Sequence, residues 1–139
     1  MGVITVSAIC FEREDGAVLT VNKRGTDRWM LPGGKPEAGE DAAACAVREV
    51  EEELGVVLDE ASLEPMGVIE TRAANEAGFD LVATVFRSRA AIAPEVRAEI
   101  AGCRWIQPAD GIADAAEAPL NREHVFPRLL AEREAAARG

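Results

Sequence analysis

The stretch from Leu31 to Gly55 constrains this chain more than any other part of it. Leu31-Pro32-Gly33-Gly34 cannot be helix, because proline lacks an N–H and two glycines break the register. A few residues later Asp41 to Leu54 predicts a helix, since Ala43, Val47, Val50 and Leu54 recur at spacings of three and four. Gly55 is placed to end it as a left-handed residue. A turn that rigid, feeding an amphipathic helix, must set the helix against an apolar partner, and the flanking segments predict strands. Val3 to Phe11 and Ala17 to Asn22 are β-branched and apolar, separated by an Asp15-Gly16 turn signal. Arg24 to Met30 reads as a loop. Glu64 to Thr71 and Phe79 to Ser88 predict a second hairpin around Asn75-Glu76-Ala77-Gly78. Val56 to Leu58 and Cys103 to Gln107 predict short strands. Pro108 to Ala115 predicts a short helix, and Arg122 to Arg138 a longer one that Pro127 either kinks or opens. The element order predicts one α/β layered domain over residues 1–139, with a mixed sheet between helices.

The central helix carries a local conflict. Glu49, Glu52 and Glu53 lie at spacings of three, four and one, within about a 100° sector and away from the apolar stripe. Like charges so close destabilise a helix, and the last turn is where the helix dipole disfavours anions. Two broken rules in one place are the mark of a functional site. A hard divalent cation with oxygen ligands resolves the conflict, and Mg²⁺ commonly completes its shell with substrate phosphates. A merely solvated acidic face is the plainer alternative.

Bulk properties narrow the partners. The net charge of −10 opposes a long nucleic acid partner, which calls for a basic face. No window is apolar enough for a transmembrane helix. The apolar start reads as a first strand and not as a signal peptide, so a cytoplasmic location is expected. Cys10, Cys45 and Cys103 are odd in number and widely spaced, which predicts free thiols and neither disulfides nor a zinc site. The 48% apolar content suffices for a core.

The residues before and within the helix resemble a known pattern. Gly34, five residues, Glu40, seven residues, then Arg48-Glu49-Val50-Glu51-Glu52-Glu53-Leu54-Gly55-Val56 is similar to the Nudix box at every defined position. The surroundings, from Trp29 to Gly34 and at Arg104-Trp105-Ile106, also look like Nudix domains. The resemblance implies a Nudix-type α/β/α sandwich and a MutT-like enzyme. By position it implies that the Gly33 carbonyl and the Glu49, Glu52 and Glu53 carboxylates hold Mg²⁺, with Mn²⁺ able to substitute. Arg48 would orient one of these glutamates, and Glu40 would tie the loop to the helix. Members of this family often add a downstream glutamate, for which Glu99 is the first choice and Glu95 the second.

The chemistry so implied is attack of water on phosphorus in a diphosphate linkage, with metal ions neutralising its charge and a carboxylate removing the proton. Glu52 or Glu53 is the expected base, with Glu99 as alternative. Lys23, Arg24 and Lys35 are cations placed to contact phosphates, Trp29 could stack on a base, and His124 has no expected role. Asn121, after Pro119-Leu120, is similar to a base-reading asparagine of MutT-like enzymes and is alternatively a helix N-cap. Arg72 stands where relatives that favour ADP-ribose carry a proline, and the chain has no tyrosine, which relatives acting on dinucleoside polyphosphates often show. Both features favour a (deoxy)nucleoside triphosphate, cleaved to monophosphate and pyrophosphate. ADP-ribose, an NDP-sugar or a dinucleoside polyphosphate is the alternative, and a non-catalytic nucleotide sensor is an alternative of another class. The expected partner is a small nucleotide, and the expected state a monomer or homodimer.

Overall fold

Both faces of the first strand are apolar, which places it at the centre of the molecule. A computed structural model describes residues 2–139. Strand β1 (Val3–Phe11) directs Ile9 and Phe11 into one core and Ala8 and Cys10 into another. A strand covered on both sides reads as a continuous apolar run, as this one does. It pairs in parallel with β6 (Asp80–Ser88) over its whole length, and β6 pairs antiparallel with β5 (Glu64–Arg72). On its other edge β1 takes the two-residue strand β4 (Gly33–Gly34), giving a mixed sheet of order β4-β1-β6-β5.

A second, antiparallel sheet has the order β3-β2-β7, built from Trp29–Met30, Val18–Lys23 and Ile100–Ile106. The Asp15-Gly16 turn forms as expected: Gly16 takes φ 89°, and the Ala17 N–H donates to Asp15 Oδ1 at 3.1 Å. The strands it joins do not form an extended hairpin. After the single Glu12–Val18 bridge they diverge into different sheets. The segment Met30 to Gly33 crosses back, and the Ile9 N–H donates to Pro32 O at 3.0 Å.

Helix α1 (Ala42–Leu54) covers one side, with Ala46, Val50 and Leu54 in the core with Ile9, Phe11, Leu19 and Val21. Burying Val50 and Leu54 stabilises the fold by about 2 kcal/mol each. The other side is covered by α2 (Pro108–Ala113), a π turn at Asn121–Val125 and α3 (Phe126–Arg138), which bury Val125, Phe126 and Leu129 against Ala8, Cys10 and Val85. The result is a layered α/β fold with the sheets between helices.

Several sequence expectations need correction. Val56 to Leu58 forms no strand: Asp59 instead caps a 3₁₀ turn at Glu60–Ser62. Trp29 and Met30 are not loop but pair with β2. The last helix runs on from the π turn without a break, and Pro127, which lacks an N–H, sits where the bonding changes from the π to the α pattern. Asn121 is not an N-cap, since it lies inside that turn and its side chain bonds elsewhere. Among the described residues, no helix is long and apolar enough to cross a membrane.

Candidate active site

The site begins with the two glycines of β4. A Cβ on Gly33 would lie 2.0 Å from Ser7 O, and one on Gly34 would lie 2.2 Å from Glu49 Oε2. Glycine at both positions therefore lets backbone and helix carboxylates meet without a side chain between them. Helix α1 is aimed by its caps. Asp41 Oδ1 accepts the Ala44 N–H at 2.8 Å, and Gly55, at φ 67°, donates to Glu51 O.

Glu53 is not on the outer face of the helix, as the apolar stripe implied. It is only 2% exposed, in the arc that also buries Cys45, Ala46 and Val50. Its Oε1 accepts the Gly33 N–H at 3.1 Å, while its buried Oε2 has no protein partner. Burial, reinforced by the Glu49 and Glu99 charges, pushes its pKa up to about 8 against the opposing Gly33 N–H and Lys23. Burial also raises Glu49, one turn earlier, and there Arg48 opposes the shift. Glu99 approaches from the loop before β7, immediately after Ala98, whose φ of 53° is left-handed. Its Oε1 lies 3.5 Å from Lys23 Nζ, and its carbonyl accepts the Arg24 N–H.

Arg48 is the organiser of the loop. Its Nε and Nη2 hold the two Glu40 oxygens at 2.7 and 2.9 Å, and Nη2 also donates to Lys35 O at 3.1 Å. The bidentate pair, with the Glu37 N–H, holds Glu40 down at about 2. Arg48 Nη1 lies 3.4 Å from Glu52 and 3.5 Å from Glu49. Glu52 is exposed and sits by Arg48 in a shallow outer groove, away from Glu53's buried position. Among the described residues, no three His, Cys, Asp or Glu side chains stand close enough to share an ion as placed. The orphaned Glu53 Oε2 beside Glu49 is nonetheless the hard oxygen donor set that Mg²⁺ takes.

A cavity of about 530 Å³ opens beside Arg48, Glu49 and Glu99. Lys23, Lys35, Arg48, Glu49, Arg72 and Glu99 are among its charged lining, beside the backbone of Gly33 and Gly34; Ile4, Val6, Met30, Leu31, Leu81 and Leu120 form its apolar part. Of the residues singled out from sequence, Gly33, Lys35, Arg48, Glu49, Glu99 and Asn121 line it, while Arg24, Trp29, Glu52 and Glu53 do not. The indole of Trp29 lies under the Arg104 guanidinium, 4.4 Å from the ring centroid. Glu95 is exposed and pairs with Arg97. The cysteines are all free thiols.

Sequence reasoning weighs Arg72 only as the absence of a proline, yet its side chain lines the cavity and pairs with Glu123. It misses a buried network around Glu117, whose carboxylate accepts from Thr20, Arg104 and Asn121. Nothing local marks Glu117, a single acid among alanines, as buried.

A family model described as the NUDIX domain matches residues 1–129. The human diphosphoinositol polyphosphate phosphohydrolase 3-alpha is 48% identical over 52 residues, which are 36% of this chain and 32% of that protein. The match thus spans about a third of the curated relative's length. The MutT NUDIX hydrolase from Burkholderia pseudomallei superimposes with a TM-score of 0.64 at 26% identity, covering 77% of this chain and 84% of the other. The MutT protein from Methanosarcina mazei Go1 gives 0.75 at 19% identity, covering 95% and 96%.

Proposed function

Since the chain belongs to the Nudix family, we propose that it is a Mg²⁺-dependent pyrophosphohydrolase that cleaves a (deoxy)nucleoside triphosphate to monophosphate and pyrophosphate. The observation that carries this reading is the half-satisfied, buried Glu53 carboxylate next to Glu49, which itself lines a cavity carrying cations (Lys23, Lys35, Arg48 and Arg72) as well as apolar side chains. Glu49, Glu53 and the Gly33 carbonyl would hold the ion, with Glu99 reaching it from the opposite loop; Glu52 would join them only by turning out of its groove beside Arg48. Mg²⁺, when bound, supplies charge neutralisation of the diphosphate and a more acidic water.

The chain's own residues then account for the rest. Arg48 keeps the Gly34–Glu40 loop against the helix and so fixes where the glutamates sit. Lys35 and Lys23 offer cations to phosphate oxygens from the cavity wall. One of Glu52, Glu53 and Glu99 takes the proton of the attacking water. The apolar lining of Val6, Leu31, Leu81 and Leu120 suits the face of a nucleobase, and Asn121 would read its edge. The name of the human relative carries a diphosphoinositol polyphosphate, a ring studded with charge, which that lining would desolvate at high cost. The remaining parts of this reading are a single domain acting in the cytoplasm, as monomer or homodimer.

The test is a phosphate and pyrophosphate release screen with Mg²⁺. It uses the canonical nucleoside triphosphates, ADP-ribose, an NDP-sugar, a dinucleoside polyphosphate and a diphosphoinositol polyphosphate. Triphosphate turnover that disappears with EDTA and in Glu53→Gln supports the proposal. Preference for any other compound moves the substrate class, and tight nucleotide binding without turnover replaces catalysis with sensing.

A further inference from the structure

Behind the apolar part of the cavity lies a polar cluster that the hydrolytic chemistry does not use. Glu117 is 0% exposed. Its Oε2 accepts from Arg104 Nη2 at 2.7 Å and Thr20 Oγ1 at 3.1 Å, and its Oε1 accepts from Asn121 Nδ2 at 2.8 Å. Arg104 is itself pinned between Asp114 and the Trp29 ring. A buried carboxylate held by a guanidinium, a hydroxyl and an amide is costly to assemble and keeps its members in one arrangement.

The consequence falls on Asn121, also 0% exposed and part of the cavity lining. A primary amide has two N–H donors and one carbonyl acceptor. A carboxylate beside a guanidinium only accepts, so the amide must turn its nitrogen toward Glu117. The second N–H faces Trp29 O at 3.3 Å. Both donors are therefore committed, and Asn121 Oδ1 is left buried with no partner. An unpaired buried acceptor is unfavourable unless something meets it. The oxygen is closed to water, so a ligand reaching it displaces a little of the cavity's lining.

We propose that Glu117 is a positioning residue that locks the Asn121 amide, so that this wall of the cavity offers an acceptor alone and selects a base bearing an N–H donor. The inference rests on the nucleotide reading of the site. It concerns the polarity of recognition and leaves the phosphate chemistry untouched.

The experiment compares pairs that differ in that donor. CTP is set against 2-pyrimidinone riboside triphosphate, and ATP against purine riboside triphosphate; the second member of each pair lacks the amino group and any ring N–H. The wild-type protein should favour the donor-bearing member of its preferred pair by about 10- to 100-fold in kcat/KM. In Glu117→Gln, whose own amide can donate or accept, Asn121 is free to turn over and the ratio should fall to a few-fold. Glu117→Asp, which keeps the charge, should retain part of it. Asn121→Leu leaves the Arg104–Glu117 pair intact and should bring the ratio close to one, which covers the case of a Glu117 variant that does not fold. A purely structural role would lower both members of a pair equally. Equal wild-type rates for the pair, or a ratio unchanged in Glu117→Gln and Asn121→Leu, overturns this proposal alone. Failure to bind or turn over any nucleotide overturns it together with the nucleotide reading.

Discussion

Glu53 accepts the Gly33 N–H through one oxygen and leaves the other buried without a partner. That single contact ties the end of helix α1 to the glycine strand and holds a carboxylate where a proton or a cation must balance it.

The first prediction concerns pH. The folded-state pKa of Glu53, about 8, lies above the ordinary value of 4.5, so the fold favours the protonated form. That contribution is whole below about pH 4.5 and is lost as pH rises through about 8. Metal-free protein should lose on the order of 5 kcal/mol of stability across that window. Glu53→Gln should flatten the decline, and saturating Mg²⁺ should offset it, because the ion takes the deprotonated form. Denaturant titrations at a series of pH values, with and without Mg²⁺, read all three effects. A wild-type profile parallel to that of Glu53→Gln would refute the shift.

Alanine at the two glycines should separate folding from activity. At Gly33, with φ +155°, the new methyl meets the Ser7 carbonyl, which is backbone and cannot give. Loss of more than about 2 kcal/mol is expected, seen as a lower midpoint of unfolding. At Gly34 the methyl meets only the end of the Glu49 side chain. Gly34→Ala should melt within about 1 kcal/mol of wild type. Its kcat should fall on the order of 100-fold as Glu49 is pushed aside.

Arg48→Lys keeps the charge and loses the fork that grips both Glu40 oxygens. Activity should drop about 10- to 100-fold, mostly in kcat, since a misplaced catalytic group costs rate more than binding. Steady-state kinetics beside a thermal melt would show whether the residue sets geometry or merely stability.

Leu54 is fully buried in the core shared by α1, β1 and β2. Leu54→Ala should cost about 2–5 kcal/mol, read as a shifted urea midpoint at unchanged slope.

Features fixed by neighbours in sequence were legible before the fold was seen. The helix over Asp41 to Leu54, the Gly55 terminator and the Asp15-Gly16 turn all depend on a few adjacent residues. The glutamate pattern on α1 was legible for the same reason. What escaped depends on contacts far apart in the chain. Periodicity puts Glu53 on the outer face because a carboxylate counts as polar, while the Gly33 N–H, twenty residues earlier, draws it inward. Asn121 and Glu117 acquire meaning only when Thr20, Trp29 and Arg104 arrive from the three strands of the second sheet. Trp29 offered a stacking surface on paper, but Arg104 already occupies that face.

The parting of β1 and β2 after the Glu12–Val18 bridge has a mechanical meaning. Because the sheets share no continuous ladder, the gap between them is spanned by side chains and not by a run of backbone hydrogen bonds. Its width can change by swapping Met30, Leu31 or Leu120 for a residue of another size, with the ladders and the glutamate helix left as they are. The scaffold thus separates two kinds of inheritance, a fixed glutamate helix on its glycine strand and an adjustable gauge in the cavity wall.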